Sequence, residues 1–363
     1  MRHTDIPTHG EVVALAAENT PWCVSVYTPT EVDTPTPDRN RVAFENQAKQ
    51  ALGLVEDKAA RTALEEEFAD LAADEDYWRY QSRTLAVLAT PDRMRTFRVP
   101  NNLSASTTVG SRFAIKPLLR TVTFPQEAYV LALAENAVRL VAVTADRPAR
   151  DVSVPDLPPG LNDYLDLPPL GRNPHGRLQG GEGRKVRIRQ YCRAVEHALR
   201  NMLSGSDTPL ILAAAEPTAS LYRSVNSYPG LLAEGLPGNP ERVSDTEIAE
   251  HVRTLLDQHY AEELTELRTE FEKRRGDGRG LVELTDIARA ATFGIVQTLF
   301  VDIDAVVPGT IGADGAIAYP DDAPDLLDDI ARRVLLANGR VLAVRADDIP
   351  DGVPVAAILR YAG

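Results

Sequence analysis

Cysteine is nearly missing from this sequence of 363 residues: Cys23 and Cys192 are the only two. They are too few and too far apart for a disulfide framework or a thiolate metal site. Apolar or aromatic neighbours flank both, so both are expected to be buried thiols. The chain also lacks any run of about 18 apolar residues, so no membrane span is expected. The N-terminal stretch MRHTDIPTHGEVVALAAEN has no apolar signal core, and its apolar residues are helically spaced; this places the protein in the cytoplasm. Trp22 and Trp78 are the only tryptophans and stand outside any stacking series, so the core is their expected place. The six histidines are scattered, and His251 and His259 have no glutamate at a zinc spacing. Asp302, Asp304, Asp321, Asp322, Asp325, Asp328 and Asp329 lack calcium-loop spacing, and the middle three suit a helix N-terminus. No metal or cofactor is expected, and no nucleophile elbow or Ser/His/Asp order appears.

Basic charge is outnumbered, with 39 Lys and Arg against 53 Asp and Glu. The formal net charge is −14, which argues against general coating of nucleic acid but leaves room for one local patch. That patch is easy to find. Residues 171–193 read GRNPHGRLQGGEGRKVRIRQYCR, with Arg172, Arg177, Arg184, Lys185, Arg187, Arg189 and Arg193 against the single acid Glu182. Gly180 and Gly181 sit in its middle, where the absent Cβ lets backbone approach another chain closely. His175 lies beside them, as a turn or surface residue. The glycine spacing is not that of a Walker or Rossmann loop, and no strand directly precedes it. Two readings stand: a phosphate-contacting arm, or a solvated charge run on a helix face.

The remaining pattern is globular, with 44% apolar and 25% charged residues, and alternates strands with helices. The expected fold class is α/β, mixed α+β, in three domains: 1–112, 113–241 and 242–363. In the first, WCVSVYTPT and RTLAVLAT read as buried strands, DRMRTFRVP as a hairpin partner, and residues 37–52 and 57–73 as helices. In the second, EAYVLALAENAVRLVAVT is a hairpin turning at Glu135-Asn136. Seven prolines between Pro148 and Gly176 predict a long extended excursion. A helix then carries Val186, Tyr191, Val195, Ala198 and Met202 on one face, before the strand TPLILAAAE and a helix with Pro217 in its first turn. In the third, Ser244 and Glu247 form a capping box for a long helix. Helix, strand, helix and two strands follow, with one helix ending at Gly339.

The stretch GRLQGGEGRKVRIRQYCR, followed by TPLILAAAEPTASLYRSV, resembles the loop, helix and strand of archaeo-eukaryotic class-1 release factors and Pelota, specifically their bacterial branch, baeRF. In that family the loop reads Gly-Arg-Gly-Gly-Gln, and here Gly180, Gly181 and Glu182 fall on the Gly-Gly-Gln positions. DIARAATFGIVQTLFVDI and the closing VPVAAILRY are similar to the last domain of the same family. The likeness covers residues from about 113 to 363; the first segment carries no Asn-Ile-Lys-Ser motif and looks like a baeRF-type N-terminal domain, so stop-codon reading is not expected.

The resemblance implies an RNase H-like central domain and a Pelota-like C-terminal domain. It implies a ribosome-associated factor acting in the A site, in rescue, termination-like release or hibernation. Its partners would be the ribosome, through rRNA and peptidyl-tRNA, and a translational GTPase, with no membrane involved. Arg172, Arg177, Arg184, Lys185, Arg187 and Arg189 would contact RNA backbone, and Arg193 and Arg200 would pair with surface acids. The family loop orients water at the ester joining peptide to tRNA. Glu182 changes that chemistry, because a carboxylate accepts hydrogen bonds and cannot supply amide donors. Three outcomes remain open: a binder, a peptidyl-tRNA ester hydrolase using Glu182 as base, and a scaffold that has lost ribosome binding. Gln179 would reach the site only after a register shift.

Overall fold

The computed structural model describes residues 5–31, 38–125, 127–144, 149–164, 181–206, 208–321 and 323–361; of residues 181, 182 and 242 it describes the backbone. The chain is mixed α/β, in chain order α1 (His9–Ala17), β1 (Cys23–Pro29), α2 (Asp38–Leu54), α3 (Lys58–Ala73), α4 (Glu75–Arg79), β2 (Thr84–Thr90), β3 (Arg93–Val99), β4 (Ser106–Gly110) and α5 (Lys116–Thr123). Next come β5 (Ala128–Leu133), β6 (Val138–Val143), β7 (Arg150–Val152), α6 (Leu161–Tyr164), α7 (Gly181–Leu203), β8 (Leu210–Ala214), α8 (Thr218–Val225) and β9 (Leu231–Pro237). The last stretch holds α9 (Asp245–Gly276), β10 (Gly280–Leu281), α10 (Leu284–Thr292), β11 (Val296–Asp302), β12 (Thr310–Ile311), β13 (Ile317–Ala318), α11 (Leu326–Leu336), β14 (Arg340–Val344) and β15 (Val355–Leu359).

Contacts divide the chain into two units, Met1–Pro125 with Tyr260–Gly363, and Gln126–His259. Residues 1–125 and 260–363 lie in the first unit, where they share one core, while residues 242–259 lie in the second. Val12, Leu15, Leu118 and Leu119 pack in a single cluster with Leu326, Leu327 and Ile330. The polar side of that junction is also specific. Asp328 Oδ1 accepts the backbone N–H groups of Ile115 at 2.8 Å and Lys116 at 2.6 Å, so it caps α5, whose own N-cap is Ile115. The buried Lys116 ammonium pairs with Asp325 at 2.6 Å.

In the first unit β3-β2-β1-β4 form one antiparallel sheet. Strand β2 is buried at every position because its two faces serve two cores. Leu85, Val87 and Ala89 meet α2 and α3 residues such as Phe44, Leu64 and Phe68, while Ala86 and Leu88 join the shared cluster. A second sheet, β10-β15-β11-β14, pairs β11 with β14 in parallel and its other neighbours antiparallel.

The second unit holds a five-stranded sheet, β7-β6-β5-β8-β9. Pairs β5–β8 and β8–β9 are parallel, whereas β5–β6 and β6–β7 are antiparallel. The hairpin at Glu135-Asn136 forms as its sequence predicts, and Ala134 N–H bonds Ala137 O at 2.9 Å across it. The Ser244–Glu247 capping box is present: Glu247 N–H bonds Ser244 Oγ at 3.3 Å, and Ser244 N–H bonds Glu247 Oε2 at 2.9 Å. Among the described residues no helix is long and apolar enough to cross a membrane.

Candidate nucleic-acid interface

The site is built on α7, 23 residues long and free of proline. Arg, Lys, Gln, Ala and Leu dominate its composition and favour helix. At about 100° per residue, one stripe recurs every three or four positions. Ile188, Tyr191, Cys192, Val195, Leu199 and Leu203 occupy it and are buried against Leu131, Leu133, Leu140, Leu210, Leu212, Leu221 and Tyr222. Each fully buried large side chain of this kind contributes about 1.5–3 kcal/mol. Tyr191, Val195 and Ala198 are buried as the sequence reading expects, and Met202 packs half-buried at the edge of the stripe. Val186 does not lie there: it is 51% exposed. Five residues separate it from Tyr191, about 140° round the helix, so the two cannot share a stripe.

The buried stripe fixes α7 by polar contacts too. Tyr191 Oη donates to Ala134 O at 3.2 Å, and desolvation raises its pKa, so it stays a donor. Burial pushes the Cys192 thiol up to about 12. Neither group is free to take part in chemistry near neutral pH.

The first turns of α7 carry the cations to the surface. Arg184, Lys185 and Arg189 are exposed and Arg187 is half-buried. They surround the exposed Val186, and Arg193 is exposed one turn beyond Arg189. Arg184 has a protein partner: its Nη2 donates to Glu135 Oε1 at 2.7 Å, with the arginine side chain still 68% exposed. Glu135 sits in the β5–β6 turn, and its carbonyl accepts the N–H of Leu161 at 2.7 Å. Gly160 belongs to the same contact, since a Cβ there would lie 2.8 Å from Asn136 O. Thus the turn holds both α6 and the start of α7.

Of the loop itself, Arg172, His175, Arg177, Gln179 and Gly180 lie outside the described residues. Gly181 and Glu182 open α7, and only their backbone is described. Further along, Arg200 does pair with an acid, Glu196 Oε2, at 2.8 Å in an i,i+4 bridge. Sequence reading missed that Glu196 is itself buried and accepts from Ser227 Oγ; the Glu-x-x-x-Arg spacing was its one local signal. It also missed Glu135 as a partner, because that pair joins residues 49 apart. Among the described residues no group of three or more His, Cys, Asp or Glu side chains could hold a metal ion.

Residues 125–262 match the model of bacterial archaeo-eukaryotic release factor family 11. The matched stretch spans the whole five-stranded sheet and α7, and it bears out the resemblance read from the sequence. The chain is release-factor-like over this stretch. Solved structures are similar at low identity. Archaeal Pelota, from a model of ribosome-bound Pelota and ABCE1, is 11% identical, with 99% of this chain and 95% of that one covered and a TM-score of 0.43. Dom34 of S. cerevisiae, a translation termination-like factor interacting with Hbs1, is 13% identical over 75% of this chain and 73% of that one, with a TM-score of 0.42. The archaeal translation termination factor aRF1 is 14% identical over 98% and 99%, with a TM-score of 0.25. No curated protein matches the chain.

Proposed function

We propose that this protein is a release-factor-like translation factor that binds the ribosome through the basic start of α7 and the loop preceding it. The reading places the Gly180-Gly181-Glu182 segment in the A site, with a rescue, termination-like or hibernation role. A single observation carries it: within the family-11 stretch of an acidic chain, Arg184, Lys185 and Arg189 emerge exposed from a helix whose opposite face is anchored in the core. Such an arrangement offers phosphate contacts on a rigid support, so the helix loses little freedom on binding. Arg172, Arg177 and the half-buried Arg187 are assigned to the same surface.

Ribosomal RNA and peptidyl-tRNA are the partners this reading names, with a translational GTPase as a further class. Glu182 is assigned a place near the peptidyl-tRNA ester, where its backbone N–H remains a donor and its carboxylate is an acceptor. Binding is therefore expected to survive while ester hydrolysis is weak. The test is co-sedimentation of the full chain with ribosomes across a salt series, with label release from peptidyl-tRNA followed in parallel. Salt-sensitive pelleting without release supports the reading. Pelleting that ignores both salt and the α7 cations overturns it. Release that requires Glu182 replaces the binder with a hydrolase.

A further inference from the structure

Among the described residues of the second unit only two large apolar side chains are exposed, Tyr164 at 43% and Val186 at 51%. A lone exposed tyrosine needs no explanation. Tyr164 is not alone, because it stands beside the cations that open α7. It ends α6, a single turn closed by Tyr164 N–H on Gly160 O at 3.0 Å. That turn is tied to the β5–β6 connection by Leu161 N–H on Glu135 O at 2.7 Å. Arg184 Nη2 holds the same residue through its carboxylate, also at 2.7 Å. The Tyr164 ring leans on Tyr191, with centroids 6.3 Å apart and planes at 48°. Tyr191 is fully buried and its hydroxyl is fixed on Ala134 O at 3.2 Å, so the support under Tyr164 is firm.

Arg187 and Arg184 precede Tyr191 by four and seven residues, which sets them within about 40° of its line along α7. They therefore occupy the flank of α7 on which Tyr164 rests. The Arg187 guanidinium has no acid partner among the described residues. Arg184 spends Nη2 on Glu135 and keeps Nε and Nη1. The exposed acid Asp163 adjoins the ring, so a phosphate is favoured on the α7 side of it. A half-exposed aromatic ring next to two guanidinium groups suits an unpaired nucleotide: the base stacks and the phosphates meet the cations. A duplex satisfies the cations but keeps its base faces covered, so the ring gains nothing from it.

We infer that Tyr164 stacks an unpaired base of an RNA single strand whose adjoining phosphates sit on Arg184 and Arg187. The inference rests on the reading that the start of α7 meets RNA, and it adds a contact that distinguishes single strand from duplex. Stacking uses the π-face that every base has, so no base preference is expected. Tyr164 carries no charge, so its removal lowers affinity without changing the salt slope, whereas removal of a cation changes both. The site is tested without ribosomes, so its failure and the failure of ribosome binding are read in different experiments.

The experiment is a fluorescence-anisotropy titration of the full chain, at low salt, with a labelled single-stranded RNA and with a fully paired RNA duplex. AMP is added as a competitor. Tyr164→Ala should weaken binding of the single strand by about fivefold to a hundredfold and leave duplex binding and the salt slope unchanged. Tyr164→Phe, which keeps the ring, should bind the strand within about twofold of the unaltered protein. AMP should displace the strand only in large excess, since it brings one phosphate to two cations. Tyr164→Trp supplies a second readout: its emission should be quenched by the single strand and not by the duplex. An alanine variant that binds the strand normally, an equal loss on the duplex, or a phenylalanine variant as weak as alanine overturns the inference. So does displacement by equimolar AMP, an unquenched tryptophan, or no binding of the strand at all. Tyr164-dependent strand binding by a protein that does not pellet with ribosomes would leave this inference standing and remove the ribosome.

Discussion

Arg184 Nη2 donates to Glu135 Oε1 at 2.7 Å, tying the first turns of α7 to the turn between β5 and β6. This bridge engages one of the cations assigned to RNA. With the arginine 68% exposed, the pair is worth no more than about 1 kcal/mol and phosphate can compete for it. Glu135→Gln should therefore leave the thermal melt almost unchanged. It should strengthen ribosome binding at low salt and raise the salt slope by about one, because a further cation is released to phosphate. A slope identical to that of the unaltered protein would remove Arg184 from the interface.

Replacing Arg184, Lys185, Arg187 and Arg189 together by alanine tests the whole surface. Alanine is the best helix former and the three exposed side chains leave no cavity, so α7 should persist by circular dichroism. Ribosome co-sedimentation should be lost at moderate salt, and the slope of log binding against log salt should fall by up to about three to four. Retained pelleting by a folded quadruple variant would point to a different contact surface.

How far the sequence disclosed this arrangement follows from the range of its signals. Helix α7, the hairpin at Glu135-Asn136 and the capped start of α9 were legible, because periodicity and capping act within one or two turns. Strand β4 was not: STTVG is polar and nowhere buried, and it forms by pairing with β1. Helix α5 was missed too, since its cap is Asp328, 213 residues away from Ile115. For the same reason the shared core of the first and last segments left no local trace. At the site, the cluster of cations was visible, but which of them pair inside the protein was not. Glu135 and Glu196 are ordinary acids until the fold sets them beside Arg184 and Arg200.

Asp328 gives a pH dependence. Desolvation, helped by nearby Asp325, raises its pKa from 3.8 to about 7 against the pull of two backbone N–H groups and the Lys116 ammonium. The folded chain thus binds a proton that the unfolded chain releases across that interval. Its stabilising contribution is full below about pH 4 and is lost as the pH rises through about 7. Asp328→Asn keeps a carbonyl for the α5 cap and removes the titration. Urea unfolding at pH 5, 6, 7 and 8 should show a decline in the unaltered protein that the variant lacks. Parallel pH profiles would mean that the carboxyl stays ionised throughout.

Cys192 should resist thiol reagents. It is fully buried on α7, and its thiol is pushed up to about 12, so almost no thiolate exists at pH 8. Cys23 is buried as well. A disulfide-exchange colour assay should detect no reactive thiol in the native chain and both thiols in denaturant. Rapid native labelling of Cys192 would show that α7 opens from its sheet, and would weaken the case for a rigid support.

On the proposed function, Glu182 decides between binding and catalysis. A carboxylate cannot present the amide donors that a glutamine would, and beside a peptidyl-tRNA ester it would bring negative charge toward RNA. Hydrolysis of the peptidyl-tRNA ester by the unaltered protein should accordingly be slow, while Glu182→Gln should accelerate it by at least about tenfold and bind ribosomes at least as well. Label release from programmed ribosomes measures the first, and pelleting the second. If the unaltered protein releases peptide quickly and the glutamine variant is slower, the carboxylate is acting as a base and the protein is a hydrolase. If neither releases peptide while both pellet, the loop occupies the ribosome without chemistry, which favours protection of idle ribosomes over termination.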